Sequence, residues 1–263
     1  MKINIKSFLP HLIAVVSFLI IALIYFSPAL NDYRVFQSDI QQHKGMSNEV
    51  VDFREEFDAE PLWTNSMFGG MPATQISVIY ESNLLRYVNS ALQLELPHPI
   101  NVFFLYMLGF FILLICLKVN PWLALVGAIA YGFSSYFFII IDVGHNSKAM
   151  AMAYMAPALG GFLMALRGKR FLGTAVFTLF VALQIGANHP QVTYYLFLFL
   201  GLIFIYELIR YIIKKEYKSL ITRIGLLALG SLFAISTSIP NLYGTYEYSK
   251  FSQRAGTELS SEQ

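Results

Sequence analysis

Uninterrupted apolar runs, each about as long as a bilayer core is thick, constrain this chain more than any other feature. A hydrocarbon core of about 30 Å takes roughly 20 residues of helix. Runs of that order recur from Phe8 to Leu30, Ile100 to Leu117, Pro121 to Ile141, Ala149 to Leu166, Phe171 to Ala187, Val192 to Ile213 and Ile221 to Tyr243. None alternates apolar with polar at period two, so barrel strands are excluded and helices must satisfy the backbone inside the membrane. The expected fold class is all-α, a polytopic membrane helix bundle of about seven transmembrane helices. The first run is too long, and too poor in small residues at its end, for a cleaved signal peptide, and Pro28-Ala29-Leu30-Asn31 reads as an exit from the bilayer.

Composition removes the other classes. At 56% hydrophobic and 13% charged, the chain departs from the roughly 25% charged residues of soluble domains, which excludes a soluble enzyme and a disordered segment. A net charge of only +2 excludes a basic nucleic-acid module, and a single cysteine excludes a disulfide-stapled domain. The bilayer is therefore an expected partner and nucleic acid is not. Lys118, Arg167, Lys169, Arg170, Lys214, Lys215, Lys218 and Arg223 fall in alternate short loops, on one side with Lys2 and Lys6. The positive-inside rule makes that side cytoplasmic. The long loop carries ten acids from Asp32 to Glu95 against four bases, so it lies outside, with the N-terminus inside and the C-terminal end external. The whole of 1–263 reads as one membrane domain, with 31–99 as an external loop and 244–263 as the start of an external segment that ends early.

Within the loop, Met46, Val50, Phe53 and Phe57 recur at helical spacing among acids and predict an amphipathic helix. A second series at Leu84, Leu85, Val88, Leu92 and Leu96 predicts another, stopped by Pro97. Between them, Trp63 suits a headgroup interface and Gly69-Gly70 a tight turn.

Polar residues gather at three places on the outer side, where ionisable groups are costly enough to suggest function. Ser38, Asp39 and His43 follow the first run; Asp39 is either a general base or, with Ser38, a helix cap. Asp142, His145, Asn146 and Lys148 form a donor-rich turn at a helix start, which either receives phosphate or is solvated, with Asp142 paired to Lys148. His189 and Gln191 flank Pro190 in the next outer turn and either share a cavity with the second group or simply exit the membrane. The histidines lack close ligand spacing and no cysteine joins them, which disfavours a metal. Ala149, Ala153, Pro157 and Gly161 form a small-residue ridge for close helix packing, and Glu207 with Arg210 reads as a local pair.

Taken together, Ser38-Asp39 with Gln41-Gln42, Pro61-Leu62-Trp63 through Gly70-Met71-Pro72, Gly144 to Lys148, Asn188 to Gln191, and Tyr248-Ser249-Lys250 carry a resemblance. The chain resembles the N-terminal seven-helix portion of the YfhO-like family of bacterial membrane proteins, within the GT-C superfamily of glycosyltransferases. That resemblance implies a GT-C-like bundle in the bacterial cytoplasmic (inner) membrane. Its implied reaction moves a sugar from a polyprenyl-phosphate donor to a cell-envelope polymer, lipid or protein on the outer face. Asp39 matches the superfamily's first-loop aspartate, taken as the catalytic base. Lys148, His145 and Asn146 would stabilise the leaving phosphate, with Arg34 and Arg86 as further phosphate ligands. His43, Asp142, His189, Gln191 and Trp63 would line the substrate cavity. No cofactor is expected; Asp39 with Asp142 would be the pair to hold a divalent ion if they converged. A transporter or flippase of a lipid-linked substrate and a noncatalytic envelope scaffold are the competing readings.

Overall fold

The computed structural model describes residues 5–31 and 33–251, so expectations resting on Lys2, Asp32 and 252–263 lie outside the described residues. Its helices are α1 (Ile5–Tyr25), α2 (Ser38–Phe57), α3 (Leu85–Leu92), α4 (Ile100–Cys116), α5 (Pro121–Gly132), α6 (Ser135–Val143), α7 (Asn146–Arg167), α8 (Arg170–Gly186), α9 (Pro190–Ile213), α10 (Tyr217–Ser236) and α11 (Ile239–Ser249). Two short strands, β1 (Trp63–Thr64) and β2 (Met71–Pro72), pair antiparallel between α2 and α3. The chain forms two compact units. One joins the residues up to Gln37 to Leu84–Thr237; the other joins Ser38–Asn83 to the chain from Ser238 onward.

The first unit is a helix bundle whose members alternate in direction. Tyr25 meets Phe103 while His11 and Phe18 meet Phe111, so α1 and α4 are antiparallel. Gly109 lies against Ala153 and Pro157, and Gly160 against Leu113, so α7 runs parallel to α4. Gly161 faces Phe177 and Gly173 faces Ala165, so α8 returns antiparallel along α7. The ridge predicted as packing is thus used from two sides, by α4 and by α8. Burial of apolar side chains drives little association in lipid, and the close fit of small residues takes over that role.

Among the described residues, four helices are long and apolar enough to cross a membrane: α1 over Phe8–Tyr25, α7, α9 and α10; α5 and α6 together make a fifth if counted as one bent span. The helices α4 and α8 are apolar but shorter. At 17 residues each, they reach about 26 Å at 1.5 Å per residue.

Local chemistry explains where several boundaries fall. Asn120 caps α5 by accepting from Trp122 N–H at 2.9 Å, with Pro121 in the first turn. The expected span Pro121 to Ile141 is broken at Phe133–Ser134 with a 46° bend. Ser134 is extended there, and the bend sets Phe133 and Phe138 together on Phe103. The last expected span also stops earlier than Tyr243. Ser236 and Thr237 donate back to the carbonyls of Phe233 and Ala234, Pro240 follows, and α10 ends at Ser236.

In the second unit α2 forms where the periodicity predicted it, and Val50 of the predicted series is buried, but the covered strip turns away from Phe53 and Phe57 toward Ser47 and Arg54. Ser47 and Val50 are covered and Arg54 half so, while Phe53 and Phe57 stay exposed and stack on each other at 4.7 Å. The reason is polar: Arg54 pairs with Glu60 at 2.6 Å, and Glu49 accepts from the Thr64 hydroxyl at 2.5 Å and Asn65 N–H at 2.8 Å. Those bonds, chiefly the one from Thr64, hold the Glu49 carboxyl below its ordinary range. Gly69 and Gly70 take φ of 76° and 123° in the β1–β2 turn, as expected of a glycine pair. The helix α3 stops at Leu92, five residues ahead of Pro97, because Leu94 and Glu95 turn to positive φ.

Candidate functional site

The end of the bundle from which α4, α7 and α9 start carries a connected set of polar side chains. At its centre is Gln37, only 6% exposed although it belongs to the segment leaving α1. Its Nε2 donates to the Ile141 carbonyl at 2.5 Å and lies 3.1 Å from His98 Nε2 and 3.5 Å from Asn146 Oδ1. An amide nitrogen only donates, so in this contact His98 must accept, which requires its neutral form with the proton on Nδ1. Burial pushes the His98 pKa below the usual imidazole value, in the direction the geometry needs. This one side chain therefore ties the end of α6, the start of α4 and the start of α7 together.

Around it stand charged groups. Gly144, at φ 94°, closes α6 in a left-handed cap, and His145 stands immediately before α7. Lys148, in the first turn of α7, holds its ammonium 5.4 Å from the Tyr136 ring centre. Among the described residues no ion pair links it to Asp142, which is exposed at the end of α6, so the expected Asp142–Lys148 pair is not formed, while the exposure of Asp142 and His145 fits a solvated turn. His189 caps α9, its Nδ1 accepting from Val192 N–H at 3.4 Å. Desolvation lowers the His189 pKa first, and the neighbouring Lys148 and His145 lower it further. The two outer turns expected to share a cavity are thus electrostatic neighbours. The first turn of α7 and the Lys148 ammonium lie in this region, an arrangement suited to an anion, whereas the start of α9 is largely taken up by Pro190 and the His189 cap.

Other expected residues lie elsewhere. Gln191 is exposed and donates to Tyr195 at 3.0 Å. Arg34 stands exposed after α1, and Arg86 stacks on Tyr87 at 4.8 Å from the ring centre. Asp39, His43 and Trp63 belong to the second unit: Asp39 and His43 in the first turns of α2, Trp63 on β1 with its indole over Gly70. Among the described residues no group of three or more His, Cys, Asp or Glu side chains is arranged to hold a metal.

Gln37 fell within the first polar group read from the sequence but was given no role there, and sequence reasoning passed over His98. The available signals were a glutamine in an otherwise apolar exit segment and a histidine between two prolines, Pro97 and Pro99. It also passed over the bundle interior beside this end. There Tyr154 donates to Asn89, while Gln184, fully buried on α8, has neither amide atom hydrogen-bonded. At the opposite end, Glu207 is fully buried and bound by Arg167 at 2.5 Å as well as by Arg210 at 2.8 Å, so the expected local pair is a triad across α7 and α9.

No protein-family profile, no curated protein and no solved structure matches the chain.

Proposed function

We propose that the protein is a membrane glycosyltransferase of the GT-C type, acting on a polyprenyl-phosphate-linked sugar at the outer face of the bacterial cytoplasmic membrane. The observation that carries the reading is the placing of His145 and Lys148 at the start of α7 and of His189 at the start of α9, on the same end of the bundle. An anionic headgroup finds charge and free N–H donors there, beside helices apolar enough to hold its isoprenoid tail. The unpaired amide of Gln184 within the bundle is a further polar group that a sugar would satisfy, since an unpaired amide in an apolar setting is costly.

In this reading α4 and α8 also cross the bilayer. Each is packed along α7, which is long enough to do so, and seven crossings alternate in direction. Lys118, Arg167, Lys169, Arg170 and Arg223 then share the cytoplasmic end. Asp39, assigned as base by the family resemblance, takes the proton of the acceptor hydroxyl as its oxygen attacks the anomeric carbon. The bond from that carbon to phosphate breaks, and polyprenyl phosphate leaves with its new charge stabilised by Lys148 and the first turn of α7. The acceptor is a cell-envelope polymer, lipid or protein, and no cofactor takes part.

The test is release of polyprenyl phosphate from a panel of polyprenyl-phosphate sugars by the reconstituted protein with envelope acceptors. Asp39→Asn should lower turnover by about 10²–10⁴ with folding intact, and Lys148→Ala should raise the KM for donor roughly tenfold. Undiminished turnover in Asp39→Asn would remove the base assignment. Absence of release from every donor by folded protein would favour transport of a lipid-linked substrate instead.

A further inference from the structure

At the end of the bundle opposite the polar cluster, a cavity of about 680 Å3 opens between the last turns of α4 and α7 and the first turn of α8. Ile115, Leu163 and Leu172 contribute an apolar wall, and Lys118, Arg167 and Lys169 stand on its rim. Arg167 is engaged by Glu207, but Lys118 and Lys169 are exposed and make no ion pair among the described residues. A second recess of about 460 Å3 shares Gly168, Lys169 and Leu172 with the first and adds Arg170, so the cationic rim continues around the turn. The backbone shapes the first cavity. Lys118 takes φ 63° to leave α4, and Gly160 lets α7 approach the last turn of α4 so closely that a Cβ there would meet Leu113 at 2.9 Å.

We infer that this cavity is a binding site for an anionic phospholipid of the adjoining leaflet. A soluble anion would use the two lysines and leave the apolar wall wet. A zwitterionic lipid would cover the wall but bring a positive group to a rim that is already positive. An anionic phospholipid satisfies both, its phosphate between Lys118 and Lys169 and an acyl chain along Leu163 and Leu172. Basic recesses between membrane helices recognise such headgroups by this combination of charge and chain. The inference does not rest on glycosyl transfer, since it concerns the other end of the bundle and needs only that the helices lie in a membrane.

The experiment is native mass spectrometry of the whole purified chain in neutral detergent. It is titrated with phosphatidylglycerol, with phosphatidylcholine of the same acyl chains, and with glycerol 3-phosphate, which offers the charge without the chains. Phosphatidylglycerol should bind at least about tenfold more tightly than the other two. At about 1 kcal/mol for each lysine near an anionic headgroup, Lys118→Gln with Lys169→Gln should weaken it roughly 30-fold. Lys214→Gln with Lys215→Gln, which removes the same charge outside the cavity, should leave binding within about twofold of wild type. Equal binding of phosphatidylcholine, or of glycerol 3-phosphate, would overturn the site. Equal losses in the two double variants would also overturn it, by showing diffuse attraction to a basic surface.

Discussion

A buried histidine that must stay neutral makes the polar cluster pH-dependent. His98 accepts from Gln37 through Nε2, and protonation would set donor against donor. Because burial lowers its pKa in the folded chain, the unfolded chain takes up the proton first as pH falls. The stability from this residue is full above the unfolded value of about 6.5 and is lost as pH drops through that value toward the folded one. His189 is shifted in the same direction and adds to the trend. The thermal midpoint in detergent should therefore fall between about pH 7.5 and 5.5, and His98→Asn should flatten the curve. An unchanged slope in that variant would place the pH sensitivity elsewhere. Glu207 makes a second case at this scale. With the carboxylate wholly buried and its arginines 43% and 34% exposed, Glu207→Leu leaves two guanidinium groups that water still reaches. The expected loss is about 1–3 kcal/mol, below that of a fully buried broken pair. Arg210→Gln should cost less than Glu207→Leu, because Arg167 keeps the carboxylate paired, and thermal unfolding of the two variants decides the order.

Between elements, the seam of α7 and α8 depends on missing side chains. A Cβ at Gly173 would meet Ala165 N at 2.2 Å and one at Gly161 would meet Phe177 N at 2.3 Å. Both obstacles are backbone, which cannot rotate aside. Gly173→Ala should thus destabilise by about 1–3 kcal/mol by forcing the helices apart. Gly201, in the middle of α9, meets nothing within 4 Å, so Gly201→Ala should be neutral or stabilise by up to about 1 kcal/mol through helix propensity. Melting curves that ranked the two alanines alike would contradict this account of the seam. The ridge on α7 was legible because small residues repeated every fourth position. On α2 the series predicted the burial of Val50 but not the turn of the covered strip toward Arg54, since Arg54 and Glu49 are held by partners on the following loop, and periodicity counts only apolar residues.

Over the whole chain, a prediction concerns sidedness. Lys118, Lys169 and Arg223 lie at one end of the bundle, with Arg223 donating to the carbonyls of Ala165 and Gly168, while His145 and His189 lie at the other. In a Cys116→Ser background and the proposed orientation, Asn188→Cys should react with an impermeant maleimide in intact cells, and Lys169→Cys only after the membrane is opened. Labelling of both from one side would contradict a membrane crossing by α8.

From the sequence alone came the helical class, the membrane setting and most helix positions, because a bilayer demands about 20 apolar residues per crossing and the chain repeats that length in plain view. The polar turns were visible for the same reason, as interruptions between apolar runs. Which residues of those turns meet was decided only by the tertiary structure. Gln37 reaches across 61 residues to His98 and across 109 to Asn146, and Arg167 reaches across 40 to Glu207. Apolar length is a property of one segment, whereas a hydrogen bond or ion pair between segments depends on how helices pack side by side. That packing is set here by glycines whose partners lie on other helices.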